Sequence, residues 1–361
     1  MKKLIATLVL AAACAHAASA DTIRLRHHVP ERYTVVSGDT LWTIAGHFLR
    51  DPWQWPEIWN HNQQIHNPHL IYPGDVIILS YDRLGRPELA VLPTERLGPG
   101  SQRRTTEATA EGNVVLPVVA LKPSILSQPY TEPVPTIKPE AIAPFLVRMG
   151  VVNRTALAHA GYVLGGTDHR AAMGTLDTFY ARNLGSPLAK SYIIERRGEA
   201  LHAPGSLKVL GYQTVYIGRA HVIHNQSPRM MRVDEARRVV RAGDRLVPAP
   251  PAKALPYYYP RPPKTQVHGH IIAALQSMHD LGPGTVVAVD LGRDEGMKAG
   301  YVLSILRRAQ PLIDPKTHKI VPLPDRRSGV LMVFRPFARV SYALVMSATR
   351  PIRIGDAAAT P

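Results

Sequence analysis

Cysteine is nearly absent: the single one, Cys14, lies within the first twenty residues. A protein that loses this segment has no disulfide and no thiol nucleophile. Acidic residues are also scarce, with 27 Asp plus Glu against 43 Lys plus Arg and a net charge of +16. That balance suits an anionic partner, whether nucleic acid, anionic lipid or an acidic polymer. No later stretch matches the roughly 20 apolar residues that a membrane-spanning helix needs. The zinc motif H-E-x-x-H and the serine motifs G-x-S-x-G and S-x-x-K are missing too. Metallopeptidase and serine-nucleophile chemistry therefore has no motif to rest on.

The N-terminus carries an address. Lys2 and Lys3 precede a short apolar run from Leu4 to Ala13, and Ala18-Ser19-Ala20 forms an A-x-A site before Asp21. This order reads as a secretory signal peptide, residues 1–20, cleaved after Ala20. Acylation of Cys14 is the alternative, but Ala11 stands where a lipobox usually has leucine. Export to the periplasm or cell envelope is the expectation. It turns the basic balance away from nucleic acid and toward cell-wall carboxylates or anionic lipid.

Residues 33–80 have a strong local pattern. Tyr33, Val35 and Val36 predict a strand, and Ser37-Gly38-Asp39 a turn. Asp39 is a good residue to cap a following helix. Leu41, Ile44, Ala45 and Phe48 then fall at helical spacing. A second helix is predicted near Pro56, with Trp55, Ile58 and Trp59 on its apolar face. Asn60 to Asn67 is polar and reads as a loop. Tyr72-Pro73-Gly74-Asp75 fits a type II turn, and Val76 to Leu79 a closing strand. All four tryptophans, at 42, 53, 55 and 59, belong to this small unit and can fill its core.

YTVVSGDTLWTIA at one end and NPHLIYPGDVI at the other resemble the two signature segments of the LysM family. The Trp-rich link Arg50 to Pro56 is longer and more aromatic than the family's usual one. The resemblance implies a βααβ domain that binds N-acetylglucosamine-containing glycan, including peptidoglycan, in a shallow groove between two loops. Carried over by position, Gly38, Asp39, Thr40 and Leu41 would form one side. Asn67, Leu70, Ile71, Tyr72 and Pro73 would form the other.

Residues 81–144 are proline-rich, with the run TEPVPTIKP near their end, and predict a semi-rigid linker. Patches at 114–116 and 118–121 suggest that part of it packs. Two β-rich regions, 145–248 and 264–361, follow. They contain an apparent internal repeat. GYQTVYIGRAHV from Gly211 resembles GVLMVFRPFARV from Gly329. IIERR at 193–197 resembles SILRR at 304–308, and RAGDRL at 241–246 resembles RIGDAA at 353–358. Short Val- and Ile-rich runs between Gly-Asp turns predict barrels or sandwiches, with helix only near 139–160 and 234–241. In YIGRAHV the alternation sets Arg219 and His221 on one face.

The fold class is therefore α+β: a small βααβ domain, a linker, then two repeated β-rich domains. No catalytic, metal or cofactor site is expected. His268 and His270 resemble half of a zinc site, but the only partner pair, His47 and Asp51, falls within or beside the first helix. The expected protein is a non-catalytic periplasmic peptidoglycan binder. Another envelope protein or an anionic surface would be the partner of the basic C-terminal half. The alternatives are a wall-remodelling enzyme and a structural part of an envelope assembly.

Overall fold

Tyr33 sits at the centre of strand β1 (Arg32–Thr34) in the computed structural model, which describes residues 23–59, 71–92, 134–147, 149–249, 258–275 and 281–361. The chain divides into two compact units, 1–135 and 136–361.

In the first unit β1 pairs antiparallel with β2 (Val76–Tyr81), with Tyr33 opposite Ile77. Helix α1 (Leu41–Phe48) buries Leu41, Ile44, Ala45 and Phe48, as the spacing predicts. Its cap is Thr40 rather than Asp39. The Thr43 amide donates to Thr40 Oγ1 at 3.1 Å, and the Thr40 amide donates to Thr43 Oγ1 at 2.8 Å. This reciprocal box satisfies two helix-end amides at once. A single 3-10 turn, Pro52–Gln54, leads into α2 (Trp55–Trp59), where the Trp55 and Trp59 rings meet edge to face at 6.1 Å. These rings join Ile58, Phe48 and Ile77 in one buried core.

The sheet has a third strand, inside the segment read as linker. β3 (Pro87–Leu92) pairs with β2 along its whole length. The hairpin between them is tied by Asp82, which accepts from the amides of Leu84 and Arg86, both at 2.8 Å, and from Arg86 Nε at 2.7 Å. Those bonds, the Arg86 amide first, hold the Asp82 carboxyl below its ordinary pKa. Pro87 is compatible because it opens an edge strand, where no ladder donor is lost. The patches at 114–121 lie outside the described residues.

The second unit begins with α3 (Pro139–Val147), β4 (Val151–Val152) and α4 (Arg154–His159). Six strands then form a ring: β5 (Gly161–Gly166), β6 (Thr178–Arg182), β7 (Tyr192–His202), β8 (Val209–His224), β9 (Arg229–Ala236) and β10 (Arg245–Pro248). Their spatial order is β5-β6-β9-β8-β7-β10, and β10 returns to β5. β4 pairs with the N-terminal part of β8, at Tyr212 and Gln213. The helix predicted over 234–241 is instead the end of β9 and a bend. Met231 and Val233 alternate into the core, and the Ala236 amide is taken by Thr175 Oγ1 at 3.1 Å.

A second barrel uses β11 (His268–Ala274), β12 (Val286–Val289), β13 (Val302–Arg307), β16 (Arg326–Pro336), β17 (Ser341–Ala348) and β18 (Ala357–Ala359). Its order is β11-β12-β17-β16-β13-β18, the same sequence of first, second, fifth, fourth, third and sixth strands. A short hairpin of β14 (Leu312–Ile313) and β15 (Ile320–Val321) stands between β13 and β16. Arg335 of β16 donates to the carbonyls of Phe145 and Met149, and the Tyr342 hydroxyl to that of Gly150 at 3.0 Å. These bonds hold the chain entering the first barrel against the second.

The ladders correct one pairing of the apparent repeat. Ile194 faces Gly218 in the first barrel, and Ile305 faces Gly329 in the second. Gly218, not Gly211, is therefore the counterpart of Gly329. Both are glycine for a steric reason: a Cβ would strike the carbonyl oxygen of Glu235 at one and of Ser347 at the other. The match from Gly211 slips by seven residues because it follows an alternating pattern that repeats along the same strand.

Candidate functional site

The two loops flanking the β1–β2 pair are clasped by backbone. The Val35 amide donates to the Asp75 carbonyl at 2.9 Å, and the Gly74 amide donates to the Val35 carbonyl at 2.8 Å. Gly74, at φ 98°, supplies the left-handed residue that the Pro73-Gly74 turn requires. Asp75, almost fully buried, closes that turn by accepting from the Tyr72 amide at 2.9 Å.

On the first loop Gly38 has φ 90° and open space where a side chain would project. Asp39 accepts from the Val36 amide and the Tyr33 hydroxyl, both at 2.9 Å. Its role is to fix the turn before the helix. Burial first, then Asp39, pushes the Tyr33 phenol up to about 12. Tyr33 also stacks on His47 at 4.3 Å.

The predicted groove residues separate into two kinds. Gly38 is exposed, and Asp39, Tyr72 and Pro73 are partly exposed. Thr40 is 3% exposed, and Leu41 and Ile71 are fully buried in a core that includes Val134. Asn67 and Leu70 lie outside the described residues.

Two residues absent from the sequence-based site sit against it. The Val134 amide donates to the Ile71 carbonyl at 2.8 Å, and the Leu41 amide donates to the Pro135 carbonyl at 2.9 Å. Val134 is 3% exposed and belongs to the same core as Leu41 and Ile71. The sole sequence signal was an apolar residue set between Pro133 and Pro135, which favours extended backbone.

Elsewhere, His268 and His270 meet edge to face at 5.4 Å, and His270 Nδ1 lies 3.4 Å from Asp290 Oδ2. They line a cavity of about 760 Å³ with Arg307, Arg308, Arg353 and Asp325. Among the described residues no group of three or more His, Cys, Asp or Glu gathers as a metal site.

The family model described as the LysM domain matches residues 33–80. This segment is a LysM domain. The match covers both clasped loops and none of the barrels. The chain is also 42% identical over 55 residues to "Uncharacterized protein YqbP" of Bacillus subtilis (strain 168). That alignment covers 12% of this chain and 25% of the relative, so the chain spans about a quarter of the protein it matches. The LysM domain supports binding of glycan such as peptidoglycan and belongs to a class found in cell-envelope proteins.

Proposed function

We propose that this is a non-catalytic peptidoglycan-binding protein, exported to the periplasm, that holds N-acetylglucosamine-containing strands with its LysM domain. The clasp between the two LysM loops carries this reading. It ties Val35 to Gly74 and Asp75, and so sets the spacing of the loops that carry 38–41 and 71–73 before any ligand arrives. An acetamido group has one N–H donor and one C=O acceptor, and preset peptide groups match both at low ordering cost. Tyr72 and Pro73, half-buried at the second loop, offer apolar surface to sugar faces.

We read the two barrels as copies of one unit that meet another envelope protein or an anionic envelope surface. Their common strand order and the net charge of +16 support this. A single weak glycan module gains avidity from such a second contact.

The test is sedimentation of the full chain with purified sacculi, with soluble muropeptides measured in the same tubes. Tyr72→Ala is the suitable variant, since Tyr72 is partly exposed on the second loop, whereas Asp39 fixes the first turn. Changes at the buried Leu41 or Ile71 would test folding instead. The wild type should pellet, the variant should stay largely in solution, and no muropeptide should be released. Released muropeptides would replace this reading with a wall-remodelling enzyme. A wild type that stays in solution would remove peptidoglycan as the ligand.

A further inference from the structure

The LysM groove is already in use. Leu41 and Ile71 stand on its opposite sides, and each gives one backbone group to the same short segment. The Leu41 amide reaches the Pro135 carbonyl at 2.9 Å, and the Ile71 carbonyl receives the Val134 amide at 2.8 Å. Leu41 is the first residue of α1, and a helix's first amides have no partner within the helix. They are also its positive end, where an oxygen is favoured. The Pro135 carbonyl fills that place. Between the two hydrogen bonds the Val134 side chain is packed among LysM core residues and is only 3% exposed. The segment therefore presents one N–H, one C=O and one apolar group, the same set that an acetamido sugar would bring.

We propose that Val134–Pro135 is an intramolecular strap across the glycan groove, and that glycan binds only as the strap leaves. This rests on the glycan reading above and adds regulation of the same site. Val134 precedes a proline, so it is biased toward the extended form it needs here, and little order is lost when it docks. A groove that is open only part of the time binds with an affinity reduced by its open fraction. The strap thus sets how readily the protein engages sparse strands. Dense glycan, or a partner that draws the strap away, would favour the open state.

The test uses the full chain, the N-acetylglucosamine tetramer as probe, and two measurements. Amide hydrogen exchange on the ligand-free wild type should find the Val134 and Leu41 amides protected. Added tetramer should expose Val134 and leave Leu41 protected. Calorimetric titration should give Val134→Asp a tetramer affinity at least about tenfold higher than wild type, since the variant no longer seats the strap. An unprotected Val134 amide in the ligand-free protein overturns the strap, whatever the glycan does, and needs no folded variant. Equal or weaker binding by a folded Val134→Asp overturns its role as a competitor. A protected Val134 with no tetramer binding by either protein means that the glycan reading itself has failed.

Discussion

Asp244 and Asp356 hold the same place in the two barrels. Each closes a Gly-Asp turn by accepting from the amide three residues before it, Arg241 at 2.8 Å and Arg353 at 2.9 Å. Each carbonyl then accepts from the first strand of its own barrel, at Val163 and Ile271, both 2.9 Å. The side-chain partners differ. Asp244 is gripped by Arg196 through Nε at 2.7 Å and Nη2 at 2.8 Å. Arg307, the counterpart of Arg196, donates to the Pro351 carbonyl at 2.9 Å and lines the cavity beside His268 and His270.

Asp244→Asn should destabilise the second unit more than Arg196→Ala does. The carboxylate is 3% exposed and serves a backbone amide as well as the guanidinium, whereas the arginine side chain is 35% exposed. A loss of about 1–3 kcal/mol is expected for the buried acceptor. Urea unfolding followed by far-UV circular dichroism measures both. Equal losses would mean that the ion pair, not the turn, dominates.

Gly218→Ala and Gly329→Ala should each be costly, while Gly211→Ala should be milder. At the first two a Cβ meets a carbonyl oxygen of the neighbouring strand, which cannot move without breaking its ladder. At Gly211 the nearest atom is the tip of Val151, a side chain of β4. Overpacking of this kind costs about 1–3 kcal/mol. Melting temperatures of the three variants check the order, and a Gly211 effect as large as the others would contradict the ladder correspondence.

The Tyr33 phenol should titrate near 12 rather than 10. Its folded pKa is raised, so the neutral form is the one that the fold favours. The associated stability is present below pH 10 and is lost as pH rises from 10 toward 12. Asp39→Asn should bring the value partway back, because burial, the larger cause, remains. Ring-carbon NMR of Tyr33 from pH 9 to 12 follows both proteins. An unchanged value in the variant would place the whole shift in burial.

The LysM half was legible because its information is local. Gly74 must be glycine for its turn, and Leu41 to Phe48 carry a helical stripe that no strand would tolerate. The cap was misread by one residue because Asp39 and Thr40 are both good capping types, and only the turn geometry assigns Asp39 to Val36. β3 was hidden by the proline that opens it, and by a hairpin whose stability comes from Asp82 rather than from a familiar turn pair. Val134 could not be placed at all, since its partner Ile71 is more than sixty residues away and no pattern in the proline-rich run encodes it. In the barrels each Gly-Asp turn bonds to the first strand of its own barrel, while alternation along β8 left the register open to a seven-residue slip.

The β14–β15 hairpin sits between two strands that already pair with each other, β13 and β16. In the first barrel the same corner is a short turn between His202 and Val209, whereas here the chain travels from Arg307 to Arg326. Ring closure fixes both ends, so lengthening the connection costs only about 0.6 kcal/mol per doubling. Leu312, Ile313, Ile320 and Val321 all stand at least 42% exposed on it, outside the barrel core. This corner is thus the molecule's natural insertion point: an epitope, a fluorophore or a whole small domain placed there would ride on a closed barrel without reopening it.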